Sequence, residues 1–347
     1  MRGKASTWAA FALTLLAALV MEARADDPVY ITSGSLRGRA LSMGGAYSSI
    51  QDDFSSGLYN PASFRVNASR SERPFRLFFN PVGCAAAFND FNRYDTEYRP
   101  DTELTGDEAF LAASLLLKGF VFTTDIADFG LALNEAIPRS DSALATGGRF
   151  ISAESLRRES FHSAFVNLKI APTISLGLSG SLYRSREGDH DEYRSGYSFG
   201  VLLEPSPKME VGLTYFHAPP EFSDARLNLE RMDGGTVTGG VSFYPEPGMI
   251  LSVDVRNLNR EEQAASLEIH YGAEYTIGNR LALRSGYFRK KDTENDVFSL
   301  GAGILPVWGR VAKYRNSARS DILTYAFVRE TGVSGSNWHL LTLLWRY

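Results

Sequence analysis

The chain has 347 residues, 44% of them hydrophobic, and a formal net charge of −4. By charge alone that balance favours neither nucleic acid nor an acidic partner, and a single cysteine, Cys84, excludes an internal disulfide. Beyond the first residues no apolar run is long enough for a transmembrane helix, which leaves a soluble exported protein or a β-barrel whose alternate side chains face lipid.

In chain order, Arg2 and Lys4 precede an apolar run from Trp8 to Met21, and Ala23-Arg24-Ala25 follows. This pattern predicts a secretory signal peptide over residues 1–25, cleaved after Ala25. Next comes "GRALSMGGAYSSIQDDFSSGLYNPASF", from Gly38 to Phe64. Met43-Gly44-Gly45-Ala46 is narrow enough to pack closely on another surface, and Asn60-Pro61 demands an extended or turn dipeptide. Asp52 and Asp53 are placed to cap a turn or to pair with arginines of a barrel lumen. Between Val82 and Lys118, "GDEAFLAASLLLKG" reads as a short helix with Phe110, Leu111, Leu115 and Leu116 on a broad apolar side.

The remainder has the period-2 rhythm of half-buried strands. The expected strands are Phe75–Asn80, Gly119–Asp125, Phe129–Ile137, Ser160–Ile170, Thr173–Arg184, Tyr193–Leu203, Lys208–His217 and Gly235–Tyr244. Met249–Asn257, Leu267–Thr276, Arg280–Phe288, Val297–Leu305, Ile322–Val328 and Trp338–Tyr347 follow, giving about 14 strands, with 12 as the alternative. Short turns such as Ala171-Pro172 and Ile277-Gly278-Asn279 alternate with longer polar loops such as Arg184 to Tyr193 and His217 to Gly234. This sorting by length is the layout of an outer-membrane barrel, with short periplasmic turns and long outer loops. The loop rule puts the 82–118 helix on the outer side and the basic stretch Val307 to Arg319 on the periplasmic side. One face of the strands collects Asp254, Arg256, Glu268, His270, Glu274 and Arg284, expected to form a charge network inside the lumen. The final strand alternates His339, Leu341, Leu343, Trp345 and Tyr347 toward lipid. It is similar to the terminal signal by which bacterial barrels are handed to the barrel assembly machinery.

With the barrel in view, the 38–62 stretch resembles the N-terminal signature of the FadL-like outer-membrane proteins, which include long-chain fatty-acid transporters and PorV-type proteins. The matching residues are Gly38, Arg39, Ala40, Leu41, Met43, Gly44, Gly45, Ala46, Asp52, Asp53, Asn60, Pro61 and Ala62. Ser42 stands where the pattern has glycine, and Gly38 where it has alanine. The resemblance implies an all-β transmembrane antiparallel barrel with an N-terminal plug, or hatch. The implied partition is a plug over residues 26–70 and a barrel over 71–347. The implied activity is uptake of hydrophobic or amphipathic small molecules, fatty-acid-like, gated by the plug. Phe110, Leu111, Leu115 and Leu116 are the candidates for ligand capture. The alternative implied activity is a PorV-like docking or shuttle role with a secretion-system partner.

Enzyme signatures are missing from the sequence. The histidines His162, His190, His217, His270 and His339 form no metal-binding pair, and no nucleophile elbow, Walker motif or dinucleotide fingerprint is present. The expectation is a non-enzyme without cofactor or metal, in contact with outer-membrane lipid, a hydrophobic ligand and no nucleic acid.

Overall fold

The computed structural model describes residues 29–33, 35–52, 54–64, 74–81, 113, 116–136, 159–187, 190–219, 235–258, 267–278, 280–291, 293–305, 323–332 and 336–346. The signal peptide, Asp53, Cys84, Phe110, Leu111, Leu115, the basic stretch 307–319 and Tyr347 lie outside the described residues.

Sixteen strand segments form one sheet. They are β1 (Val29–Ser33), β2 (Phe75–Phe79), β3 (Leu117–Thr123), β4 (Ala127–Ala136), β5 (Glu159–Ala171), β6 (Ile174–Glu187), β7 (His190–Ser206) and β8 (Met209–His217). Then come β9 (Thr236–Phe243), β10 (Met249–Arg256), β11 (Glu268–Ile277), β12 (Leu281–Arg289), β13 (Asp296–Ile304), β14 (Leu323–Glu330), β15 (Ser336–Leu343) and β16 (Trp345–Arg346). From β2 to β15 each strand pairs antiparallel with the next in sequence. β16 follows β15 after Leu344 alone and pairs with β2, Trp345 opposite Phe79, so the sheet closes on itself. Taken as one terminal strand, β15 and β16 complete a wall of 14 antiparallel strands, in agreement with the larger of the two expected counts.

Two features depart from expectation. The stretch Arg184 to Tyr193 is not a long loop: β6 and β7 stay paired out to Glu187 opposite His190. Once the register is fixed by the apolar part of a hairpin, charged residues extend it in water as readily as apolar ones, so composition alone reads them as loop. β1, unforeseen, lies parallel to β15 from Val29 opposite Asn337 to Ser33 opposite Leu341.

The period-2 pattern resolves into an inside and an outside. On β10, Ile250, Ser252, Asp254 and Arg256 are buried, while Leu251 and Val253 are exposed. On β11, Glu268, His270 and Glu274 are buried and Ile269 and Tyr271 exposed. Leu176, Leu178, Phe199, Leu213 and Val241 continue the exposed apolar series around the wall, and Trp345 is 69% exposed. Polar groups inside and a greasy exterior suit a barrel in a bilayer, and the pairing of β16 with β2 closes the wall at Trp345 and Arg346. On β15, Trp338, Leu340 and Thr342 are buried, which puts His339, Leu341 and Leu343 on the outer face as expected. Among the described residues no helix is long and apolar enough to cross a membrane, which says nothing against crossing by strands.

Inside the wall runs the N-terminal segment, with two short helices, α1 (Gly38–Ser42) and α2 (Phe54–Tyr59). Leu36, Met43, Tyr47, Ile50, Leu58 and Phe64 of this segment share a buried cluster with Phe161, Phe165, Tyr183 and Ile250 of the wall. Leu41 joins a second cluster with Phe288, Val328, Trp338 and Leu340.

Candidate functional site: the interior segment and its dock

The segment turns sharply after α1. Gly44 and Gly45 both have positive φ, 66° and 72°, and the Gly45 N–H donates to the Ala40 carbonyl at 2.9 Å. A side chain at Gly44 would be strained by that backbone and would also place a Cβ 2.8 Å from Tyr271 O and Tyr287 N. Glycine is thus required twice over. Asn60 builds the second turn: its Oδ1 accepts from Ala62 N at 2.9 Å, and its Nδ2 donates to Ser48 O at 2.7 Å and to Val201 O at 3.2 Å.

Three carboxylates take most of the anchoring. Arg39 donates from Nε and Nη2 to Glu274 of β11, both at 2.8 Å, and from Nη1 to Asp52 at 2.7 Å. Arg284 of β12 meets the same Glu274 at 2.6 Å, and the Tyr47 hydroxyl donates to Asp52 at 2.7 Å. Burial works against the Arg39 charge, yet Glu274, Tyr47 and Asp52 hold its pKa well above the ordinary arginine value. Burial likewise pushes the Tyr47 phenol well up, against the pull of Arg39. Asp254 of β10 accepts from the N–H groups of Tyr47 and Ser48 at 2.9 and 2.8 Å. Glu135 of β4 accepts from Ser35 Oγ at 2.6 Å, Leu36 N at 2.9 Å and Arg37 Nε at 3.2 Å, with Lys118 Nζ at 3.9 Å. These are charge-assisted bonds in a buried setting, the strong kind.

Further contacts go to the segment's backbone. His270 Nδ1 lies 2.6 Å from Gly44 O, and Arg256 donates to Gly45 O at 2.9 Å. Ser299 Oγ accepts from Gly44 N at 2.9 Å, Asn167 donates to Phe64 O at 2.7 Å, and Thr342 donates to Ser35 O at 2.6 Å. Gln51 is bonded to Glu204.

Where the backbone meets the wall, the wall is glycine. A Cβ at Gly177 would overlap the Pro61–Ala62 peptide, one at Gly200 the Asn60 side chain, and one at Gly212 the Ser48 carbonyl. The same holds for Gly240 against Ser48, Gly272 against Met43, Gly286 against Gly44 and Gly301 against Ser42. Several are direct cross-strand partners: Gly177 with Gly200, Gly212 with Gly240, and Gly272 with Gly286. Together they make a smooth band on the inner face on which the segment's main chain lies flat. By contrast Gly180, on the outer face, would place a Cβ in open space.

All six charges expected in the lumen are buried there, and five of them touch the interior segment or its Glu274 anchor. Glu268 instead lies 3.5 Å from His270 and accepts from Lys291 N at 3.1 Å. Asp52 pairs with Arg39 of its own segment, not with an arginine of the lumen wall. Met43, Gly44, Gly45, Asn60 and Ala62 sit on the wall as their small or turn-forming character suggests. Leu116 is exposed next to β3. Sequence reasoning missed Glu135, Lys118 and the glycine band. The signal for the band was available: glycines recurring at inward positions in the middle of strand after strand.

No family model matches the chain, and no curated protein matches it. Among solved structures it is similar to the CymD monoaromatic hydrocarbon channel, at 10% identity and a TM-score of 0.45, over 86% of this chain and 93% of that one. It is also similar to a mutant porin of Rh. blastica, at 8% identity and a TM-score of 0.34, over 66% of this chain and 76% of that one. At such low scores neither likeness adds to what the strand pairing establishes.

Proposed function

We propose that the chain is a barrel of the bacterial outer membrane that admits small hydrophobic or amphipathic molecules, with the interior segment as the plug that gates their passage. The observation that carries this reading is the dock. A segment held by ion pairs and by backbone contact along a purpose-shaped band fills the path a solute would take. The FadL-like signature lies on that segment, and fatty-acid-like uptake is the activity it implies. Greasy outer strands and the leader expected over residues 1–25, cleaved after Ala25, support the location. On this reading the protein performs no catalysis and needs no cofactor. Capture by Leu116 and its neighbours Phe110, Leu111 and Leu115 belongs to the same proposal.

Deleting Arg37 to Ala62 tests the gating role. The expected result is a heat-modifiable barrel with raised flux of small solutes into liposomes. A folded barrel with unchanged flux overturns it.

One observation favours a second reading, the PorV-like docking role. Ion pairs at both Arg37 and Arg39 bind the segment tightly enough for a barrel kept shut. That reading predicts a second polypeptide that stays with the detergent-extracted protein and no lipid bound in the lumen.

A further inference from the structure

β4 begins in strict alternation. Asp128, Gly130 and Ala132 are buried on the inner face, where a Cβ at Gly130 would strike the Phe64 ring of the interior segment. Phe129 is exposed on the outer face. The same period carried on would put Asn134 inside and send Glu135 to the greasy side with Phe129 and Leu131. The chain does otherwise. Ala132 stands opposite Ser163 and Glu135 opposite Phe161, so three steps on β4 face two on β5. Opposed residues of an antiparallel pair share a face, and Ser163 and Phe161 are both buried. One extra residue in β4 has turned Glu135 inward.

The extra residue is Asn134. Its φ is 44°, and of the non-glycine residues with positive φ among the described ones it alone lies inside a strand. Asparagine enters this left-handed region more readily than most residues, and β-branched side chains least. Three side chains hold it there. Lys118 Nζ donates to its carbonyl at 2.5 Å, its own N–H donates to His162 Nδ1 at 3.3 Å, and Ser160 Oγ donates to its Oδ1 at 3.4 Å. Lys118, Asn134 and Ser160 are buried. What the bulge delivers to the lumen is the carboxylate that receives Ser35, Leu36 and Arg37.

We propose that Asn134 is a positioning residue for the plug: its left-handed backbone aims Glu135 into the lumen, and the grip on residues 35–37 depends on that aim. The inference rests on the gating reading and adds the residue that sets one of the plug's anchors. Asn134 touches neither the plug nor a solute in this role; it acts through Glu135.

The test uses the full chain, with hydrogen exchange read by mass spectrometry in detergent and solute flux read in lipid vesicles. Asn134→Val, which resists a positive φ, should speed exchange at residues 35–37 about tenfold while the paired amides of β6 and β7 hold. Asn134→Gly, which accepts that φ, should keep the protection. Asn134→Ala is the milder second variant, expected at about threefold, and it carries the test where the valine chain does not fold. With Glu135→Gln already in place, Asn134→Val should add less than about twofold, because the grip it aims is already weakened; a residue that only braced the wall would add its full effect. Protection at 35–37 unmoved by either Asn134→Val or Asn134→Ala, or lost equally in Asn134→Gly, overturns the role. If that protection is unmoved while deletion of Arg37 to Ala62 still raises flux, the positioning role falls and the gate stands. If Asn134→Val loosens 35–37 and flux rises neither there nor on the deletion, the gate falls and the positioning of Glu135 stands.

Discussion

Arg39 is the most informative residue to change. Arg39→Met keeps the length of the side chain and removes three charge-assisted bonds, two to Glu274 and one to Asp52. Stripping one partner from a buried ion pair costs about 3–5 kcal/mol, because the other charge is left stranded. Here each orphan retains a partner: Glu274 keeps Arg284 at 2.6 Å, and Asp52 keeps the Tyr47 hydroxyl at 2.7 Å. The lower end, about 3 kcal/mol, is therefore the expectation, equivalent to about a hundredfold at 1.4 kcal/mol per decade. The assay is hydrogen exchange read by mass spectrometry on the detergent-solubilised barrel. Amides of residues 38–52 should exchange about a hundredfold faster, while paired amides of β5 to β8 hold their protection. A change below about threefold in the segment would mean that the Arg39 cluster does not hold it. Equal loosening of the distant strands would refute the idea that segment and wall open separately.

Other perturbations separate the inner face from the outer. Gly177→Leu should drive residues 60–62 off the wall and expose the segment to trypsin at Arg37 and Arg39, whereas Gly180→Leu, three positions on and facing out, should leave digestion unchanged. Glu135→Gln weakens the hold on Ser35, Leu36 and Arg37 and should raise ion conductance in planar bilayers without loss of the heat-modifiable form. Leu213→Arg puts a charge on the greasy exterior, where Leu213 is 49% exposed, and should cost about 2–4 kcal/mol in folding into lipid vesicles if it lies near the midplane. Denaturant titration in those vesicles measures it, and a shift near zero would place the residue outside the apolar band.

Strands were legible because each carries its own evidence. Leu251, Val253 and Val255 against Ser252, Asp254 and Arg256 state which face is wet without reference to any other part of the chain. The lumen charges followed from the same alternation. What they bind was not legible, because a carboxylate such as Glu135 meets Ser35 across a hundred residues of intervening sequence. Length of the β6–β7 hairpin was hidden by charge, since Arg186 and Asp191 pair in extended backbone that composition assigns to a loop. β1 was hidden for the opposite reason: five residues beside an expected cleavage site give too short a run to show a period. The glycine band was hidden in plain view, because a glycine inside a strand is usually taken as weakness in that strand and not as room for a second chain.

Parallel placement of β1 on β15, beside the junction where β16 meets β2, bears on how the molecule is made. The earliest-synthesised part of the wall-forming chain touches the last. Trp345 opposite Phe79 is the pairing that closes the cylinder around the amino-terminal stretch. The two ends of the wall thus meet at one seam.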